Sequence, residues 1–310
     1  MFLVFLLIII GFILLINGAN FLVNGASGIA KKFNISEIVI GLTIVSIGTS
    51  MPELFISISS ALEGRSNLIM GNVIGSNITN LFLILGLSAI VKDIRLKRET
   101  RLVDIPICLY ITVIFMMICN IGNSITRSQG FYLIVLFIFF IIYTFILSKT
   151  ETESETQSKQ QSIIKSVFYI AIGILGLKFG GDLTVNNAVK IAESLNLSEK
   201  IISITILAIG TSLPELVTSI TAGLKNESDI AIGNILGSNI FNMLLIVGST
   251  AIIKPIEYDL SYNKDMIFLI IGTILLGLFA IIPPKNKINK TKGIIYFSLY
   301  IGYMAALFMM

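Results

Sequence analysis

The sequence predicts an all-α membrane protein with ten transmembrane helices arranged as two inverted five-helix repeats. Three observations carry that expectation. Of 310 residues, 55% are hydrophobic and only 13% charged, too little charge to clothe a water-soluble domain of this size. Apolar runs able to cross the hydrocarbon core, which takes roughly 20 helical residues, recur from end to end. The most distinctive stretches of the first half also return in the second.

The runs fall near 1–30, 36–62, 68–91, 102–122, 129–148, 164–192, 198–223, 230–253, 264–283 and 291–310. The first lacks the basic start of a signal peptide and has an internal copy at 164–192, so it reads as a structural helix. Cys108 and Cys119 sit inside the fourth run and read as small apolar packing residues. The polar segment Ser148–Ser162, rich in Ser, Thr, Glu and Gln, reads as a short cytoplasmic linker. The chain thus divides into a first repeat (1–147), a linker (148–163) and a second repeat (164–310).

With the amino terminus outside, the inside loops carry 15 Lys and Arg against 6 in the outside loops. The positive-inside rule therefore places both termini outside. The net charge of +4 is gathered in these loops and calls for no nucleic-acid partner; the bilayer is the partner. No organellar address is recognisable, which makes a prokaryotic plasma membrane the expected location.

An offset of 162 carries Ile47-Gly48-Thr49-Ser50-Met51-Pro52-Glu53-Leu54 onto Ile209-Gly210-Thr211-Ser212-Leu213-Pro214-Glu215-Leu216, with seven of eight positions identical. It also carries Gly71-Asn72-Val73-Ile74-Gly75-Ser76-Asn77-Ile78-Thr79-Asn80 onto Gly233-Asn234-Ile235-Leu236-Gly237-Ser238-Asn239-Ile240-Phe241-Asn242, with seven of ten. Asn34-Ile35-Ser36-Glu37 returns as Asn196-Leu197-Ser198-Glu199, where Asn or Ser can cap a helix start. Five spans per half force the second copy to enter from the opposite side. Inverted repeats meeting at the midplane are a transporter architecture, since exchanging their conformations switches access from one face to the other.

Glu53 and Glu215 fall inside the second and seventh runs, and acids at that depth mark a pathway for ions or protons. The alternative, a neutral Glu hydrogen-bonded between helices, leaves the surrounding groups unexplained. Pro52 and Pro214 have no N–H to offer the carbonyls of Gly48 and Gly210, so each helix breaks. Freed carbonyls at that depth are tolerated where they line a cavity or hold an ion. Helical spacing turns Thr49 and Ser50 towards Glu53. Asn72, Ser76 and Asn80, like Asn234, Ser238 and Asn242, recur every four residues and give each helix an oxygen stripe, beside a small-residue seam at Gly71/Gly75 and Gly233/Gly237.

This set offers carboxylate, amide, hydroxyl and carbonyl oxygens, and His is absent from the chain. Such a site suits a hard cation. Ca²⁺ takes six to eight oxygens in flexible geometry while Mg²⁺ holds its water, so Ca²⁺ with Na⁺ as competitor fits best. Two carboxylates balance one Ca²⁺ or two Na⁺. Lys178 and Asp182, four apart in the sixth run, read as a mutual ion pair. An intramembrane hydrolase using Ser50 or Ser212 has no G-x-S-x-G elbow and no His, and a passive channel would conduct without a counter-ion.

The repeated G-T-S-x-P-E and G-N-x-x-G-S-N-x-x-N/D motifs resemble the two alpha repeats of the cation/calcium exchanger superfamily, and look most like the prokaryotic sodium/calcium exchangers. The resemblance implies Glu53 and Glu215 as main calcium ligands. It implies Thr49, Thr211, Ser50, Ser212, Ser76, Ser238, Asn80 and Asn242 as the remainder of the calcium and sodium sites. It further implies first and sixth helices that slide across the core, and antiport of several Na⁺ for one Ca²⁺ with no cofactor and no covalent chemistry. Asn242 stands where potassium-dependent members carry Asp, which resembles the potassium-independent branches. A proton- or potassium-coupled exchanger of divalent cations is the alternative.

Overall fold

Long apolar runs become long helices because a backbone in lipid must satisfy its hydrogen bonds internally. A computed structural model describes residues 2–148, 162–194 and 208–309. Its helices are α1 (Phe2–Phe33), α2 (Glu37–Thr49), α3 (Met51–Glu63), α4 (Ser66–Val91), α5 (Thr100–Asn120), α6 (Arg127–Ser148), α7 (Ile163–Ser194), α8 (Ala208–Thr211), α9 (Leu213–Leu224), α10 (Ser228–Ile253), α11 (Asn263–Ile281) and α12 (Lys290–Met309). Seven described helices are long and apolar enough to cross a membrane, or eight if α2 and α3, bent by 50° at their break, are counted as one span. The start of the expected run at 198–223, the repeat of the helix-start signal at 196–199 and most of the linker lie outside the described residues.

The bend has a local cause. Ser50 leaves helical geometry at φ −86°, ψ 11°, and Pro52 sits in the first turn of α3. Ser212 repeats this at φ −89°, ψ 7°, with Pro214 opening α9. The expected cap before α2 differs from what forms. Asn34 takes a left-handed φ of 54° at the end of α1, while Ser36 precedes α2 without a side-chain cap bond. Asn tolerates that conformation, so it closes the earlier helix instead of opening the next.

α4 and α10, which carry the repeated Asn-rich motif, are almost wholly buried, whereas α1, α6 and α7 keep much of their surface outward. The main hydrophobic core gathers Phe82, Phe115, Phe241 and Tyr296 around these two central helices, and both cysteines are buried in it as free thiols. α1 lies along α7 in a glycine seam. A Cβ on Gly18 would stand 2.7 Å from the Leu177 nitrogen, and one on Gly173 would stand 2.6 Å from the Leu22 nitrogen. Gly11 meets Gly180 and Gly25 meets Ser166, so the two helices run antiparallel.

Two short antiparallel ladders tie the connections together. β1 (Ile94–Arg95) pairs with β4 (Lys287–Ile288), and β2 (Ser124–Ile125) pairs with β3 (Ile256–Glu257). Each ladder joins a connection of the first half to one of the second. Lys292 closes the turn before α12, its ammonium donating to the carbonyls of Phe279, Ile282, Pro284 and Lys287 at 2.5, 2.8, 2.8 and 3.1 Å.

Candidate functional site

The two helix breaks face the middles of α4 and α10. Glu53 and Glu215, in the first turns of α3 and α9, are each 1% exposed. Glu53 feels the Glu215 charge directly and has the Thr211 and Ser76 hydroxyls beside it. The two acids therefore share one buried region.

Each break is fastened by an asparagine from the neighbouring central helix. Asn72 Nδ2 donates to the Glu53 carbonyl at 3.2 Å and to Ser57 Oγ at 3.0 Å. Asn234 Nδ2 does the same to the Glu215 carbonyl at 3.4 Å and Ser219 Oγ at 3.0 Å. Asn72 and Asn234 thus spend their amides on positioning the broken helices, so the two stripes divide in role. Ser76, Asn80, Ser238 and Asn242 remain buried around the acids.

The hydroxyls on the first break do not serve the acid of their own helix. Ser50 Oγ donates to Glu215 Oε1 at 2.8 Å and lies 3.0 Å from Ser238 Oγ. Thr49 Oγ1 donates to Asn234 Oδ1 at 3.0 Å and lies near the Glu215 carboxylate as well. Helical spacing turns Thr49 and Ser50 towards Glu53 only where the helix runs unbroken from 49 to 53, and it bends at Ser50. Hydroxyls from one half are directed onto the acid of the other.

Asn77 and Asn239, outside the predicted set, sit where the halves touch. Asn77 Nδ2 donates to the Asn239 carbonyl at 3.3 Å, and Asn239 Nδ2 to the Asn77 carbonyl at 3.3 Å. Their side-chain oxygens take the next asparagine of the opposite helix. Asn80 Nδ2 donates to Asn239 Oδ1 at 3.1 Å, and Asn242 Nδ2 to Asn77 Oδ1 at 2.9 Å. With its nitrogen engaged, each of Asn80 and Asn242 is left with a free Oδ1. Both lie in π-helical turns, Thr79–Ile84 and Asn242–Ile246, a distortion that frequently marks functional positions. The repeated Asn at 77 and 239 was a visible signal, obscured because it lies off the four-residue stripe.

The result is a cluster of oxygens without hydrogen-bond partners among the described residues: Glu53 Oε1 and Oε2, Glu215 Oε2, Asn80 Oδ1, Asn242 Oδ1 and Ser212 Oγ. Buried polar atoms are nearly always paired, so several orphans in one place, all acceptors or able to act as acceptors, suit a desolvated cation. No group of three or more His, Cys, Asp or Glu able to hold a metal occurs among the described residues. A cation here would draw most of its ligands from neutral oxygens. The Lys178–Asp182 ion pair does not form. Lys178 instead holds its ammonium 5.7 Å from the Phe55 ring centroid and 5.9 Å from that of Phe179, and Asp182 points outward from the next turn.

Apolar spans around two buried acids define a multi-pass membrane transport protein. The chain belongs to the sodium/calcium exchanger protein family, whose model matches residues 3–146 and 165–309, a family of transporters and not of enzymes. The sodium/calcium exchanger MaX1 of Methanosarcina acetivorans is 30% identical over 347 residues, covering 98% of both chains. The inner membrane protein YrbG of Escherichia coli is 33% identical over 291 residues, covering 90% of this chain and 89% of its own. Among solved structures, the sodium-calcium exchanger NCX_Mj soaked with 2.5 mM Na⁺ and 0.1 mM Ca²⁺ superposes with a TM-score of 0.86 at 33% identity, covering 98% of both chains.

Proposed function

We propose that this chain is a sodium/calcium antiporter of a prokaryotic plasma membrane, exchanging several Na⁺ for one Ca²⁺ by alternating access at a midplane site. The observation that carries the reading is the meeting of Glu53 and Glu215 from opposite halves among unpaired amide and hydroxyl oxygens. Glu53, Glu215, Asn80 and Asn242 hold Ca²⁺, with Thr49, Thr211, Ser50, Ser212, Ser76 and Ser238 completing the calcium and sodium sites. Two carboxylates balance one Ca²⁺ or two Na⁺, whereas the site carrying −2 without cations is penalised in a low dielectric. That penalty suppresses uncoupled return and enforces exchange.

The architecture goes with this reading as ten helices in two inverted repeats, 1–147 and 164–310, joined by a cytoplasmic linker at 148–163, with both termini outside. The antiparallel α1 and α7 support the inversion. So do the two ladders. β1 and β4 come from loops the charge count puts inside, and β2 and β3 from loops it puts outside.

The test is ⁴⁵Ca²⁺ uptake into Na⁺-loaded proteoliposomes. Uptake should collapse when the Na⁺ gradient is dissipated, and Glu53→Gln and Glu215→Gln should each reduce it by at least about a hundredfold, since each removes a charged ligand from a desolvated site. Uptake that follows a proton or K⁺ gradient instead would replace this coupling by the alternative one. Normal exchange in both variants would remove the site assignment.

A further inference from the structure

Lys178 is a charge that the proposed exchange does not use. It lies near the middle of the apolar span Ile163–Ile191, is exposed, and makes no ion pair among the described residues. A lysine at that depth is expensive unless water reaches it or a partner neutralises it. Its surroundings tell where it points. Ile174, Lys178 and Gly181 fall on one face of α7 by helical spacing. Ile174 Cδ1 would lie 2.9 Å from a Cβ on Gly48, and Pro214 Cγ would lie 3.9 Å from one on Gly181. Between these two contacts, the Lys178 ammonium stands over the ring of Phe55, an exposed residue of α3. One strip of α7 therefore covers both helix breaks, with a fixed positive charge in its centre.

We propose that Lys178 is a specificity-determining residue, a tethered cation on the strip of α7 that crosses the two broken helices, and that it sets the balance between Ca²⁺ and Na⁺. The inference rests on the sodium/calcium reading of the site. A positive potential raises the free energy of an arriving ion in proportion to its charge. If Lys178 weakens binding of a monovalent ion by a factor f, it weakens binding of a divalent ion by f². Its presence thus biases the site towards Na⁺, and Asp182, one turn away, offsets part of that field.

The experiment uses the full chain in detergent at fixed ionic strength. Ca²⁺ half-saturation comes from ⁴⁵Ca²⁺ binding in choline chloride, and the Na⁺ midpoint from displacement of trace ⁴⁵Ca²⁺. Lys178→Met should lower the Na⁺ midpoint by about twofold and the Ca²⁺ half-saturation by about fourfold, the square. Lys178→Arg should leave both within about 1.5-fold, because it keeps the charge. Lys178→Gln provides a second neutral variant should the Met variant melt early. No shift in the neutral variants, or equal fold-shifts for the two ions, overturns the proposal and leaves the exchanger reading intact. Wild-type protein whose bound ⁴⁵Ca²⁺ ignores Na⁺ strikes the exchanger reading itself.

Discussion

Removing the Asn239 side chain tests how the site is aimed. Asn239→Ala deletes the 3.3 Å bond from its Nδ2 to the Asn77 carbonyl and the 3.1 Å bond that its Oδ1 accepts from Asn80. Both former partners are buried, and each unsatisfied group costs about 1 to 2 kcal/mol, so the fold should lose about 2 to 4 kcal/mol. The effect that reports on aim is on ion binding. Asn80, its nitrogen no longer held, is free to turn its amide away, and the site then loses Oδ1 as a ligand. Ca²⁺ affinity should fall at least about tenfold, or about 1.4 kcal/mol. Asn77→Ala deletes the mirror bonds, 3.3 Å to the Asn239 carbonyl and 2.9 Å from Asn242, and should produce a loss of similar size. The measurements are ⁴⁵Ca²⁺ binding isotherms and thermal unfolding in detergent. A folded Asn239→Ala protein with wild-type Ca²⁺ affinity would refute the idea that this pair orients Asn80 and Asn242.

Two further outcomes follow from packing away from the acids. Gly173→Leu places a side chain where a Cβ alone already meets the Leu22 backbone at 2.6 Å, so α1 and α7 must separate. Overpacking of this kind costs about 1 to 3 kcal/mol, and proteoliposome uptake should drop at least about tenfold while Ca²⁺ binding in detergent changes less. Lys292→Met leaves four carbonyls without their ammonium donor. It should lower stability by about 3 kcal/mol, read from the unfolding midpoint, with Lys292→Arg a partial rescue because a planar fork cannot match a compact ammonium.

Much of this site is readable from residues alone, and for a definite reason. A duplicated proline breaks a helix wherever it falls, and a duplicated acid in an apolar run needs a partner whatever the fold, so Pro52, Glu53, Pro214 and Glu215 stand out in the sequence itself. The offset of 162 also located the asparagine-rich helices that become the buried centre. What sequence spacing cannot carry is the destination of a side chain beyond a break. Ser50 turns to Glu215, and Asn72 to the Glu53 backbone, because the 50° bend and the opposing helix decide. The π-helical turns around Asn80 and Asn242 have no composition signature, and Asn34 closes a helix where its type also suits opening one. Lys178 and Asp182 fit an i, i+4 pair by number, yet an aromatic face captures the lysine.

The reciprocal bonds between Asn77 and Asn239 have a consequence for energetics as well as aim. In the alternating-access exchange proposed above, a joint that maps onto itself when the two halves trade places has the same energy before and after the trade, so it would add nothing to either end of the cycle. Any preference for one resting state must then be written in features that lack a twin. One such feature is visible: Ser50 is bonded to Glu215, while its counterpart Ser212 has no hydrogen-bond partner among the described residues.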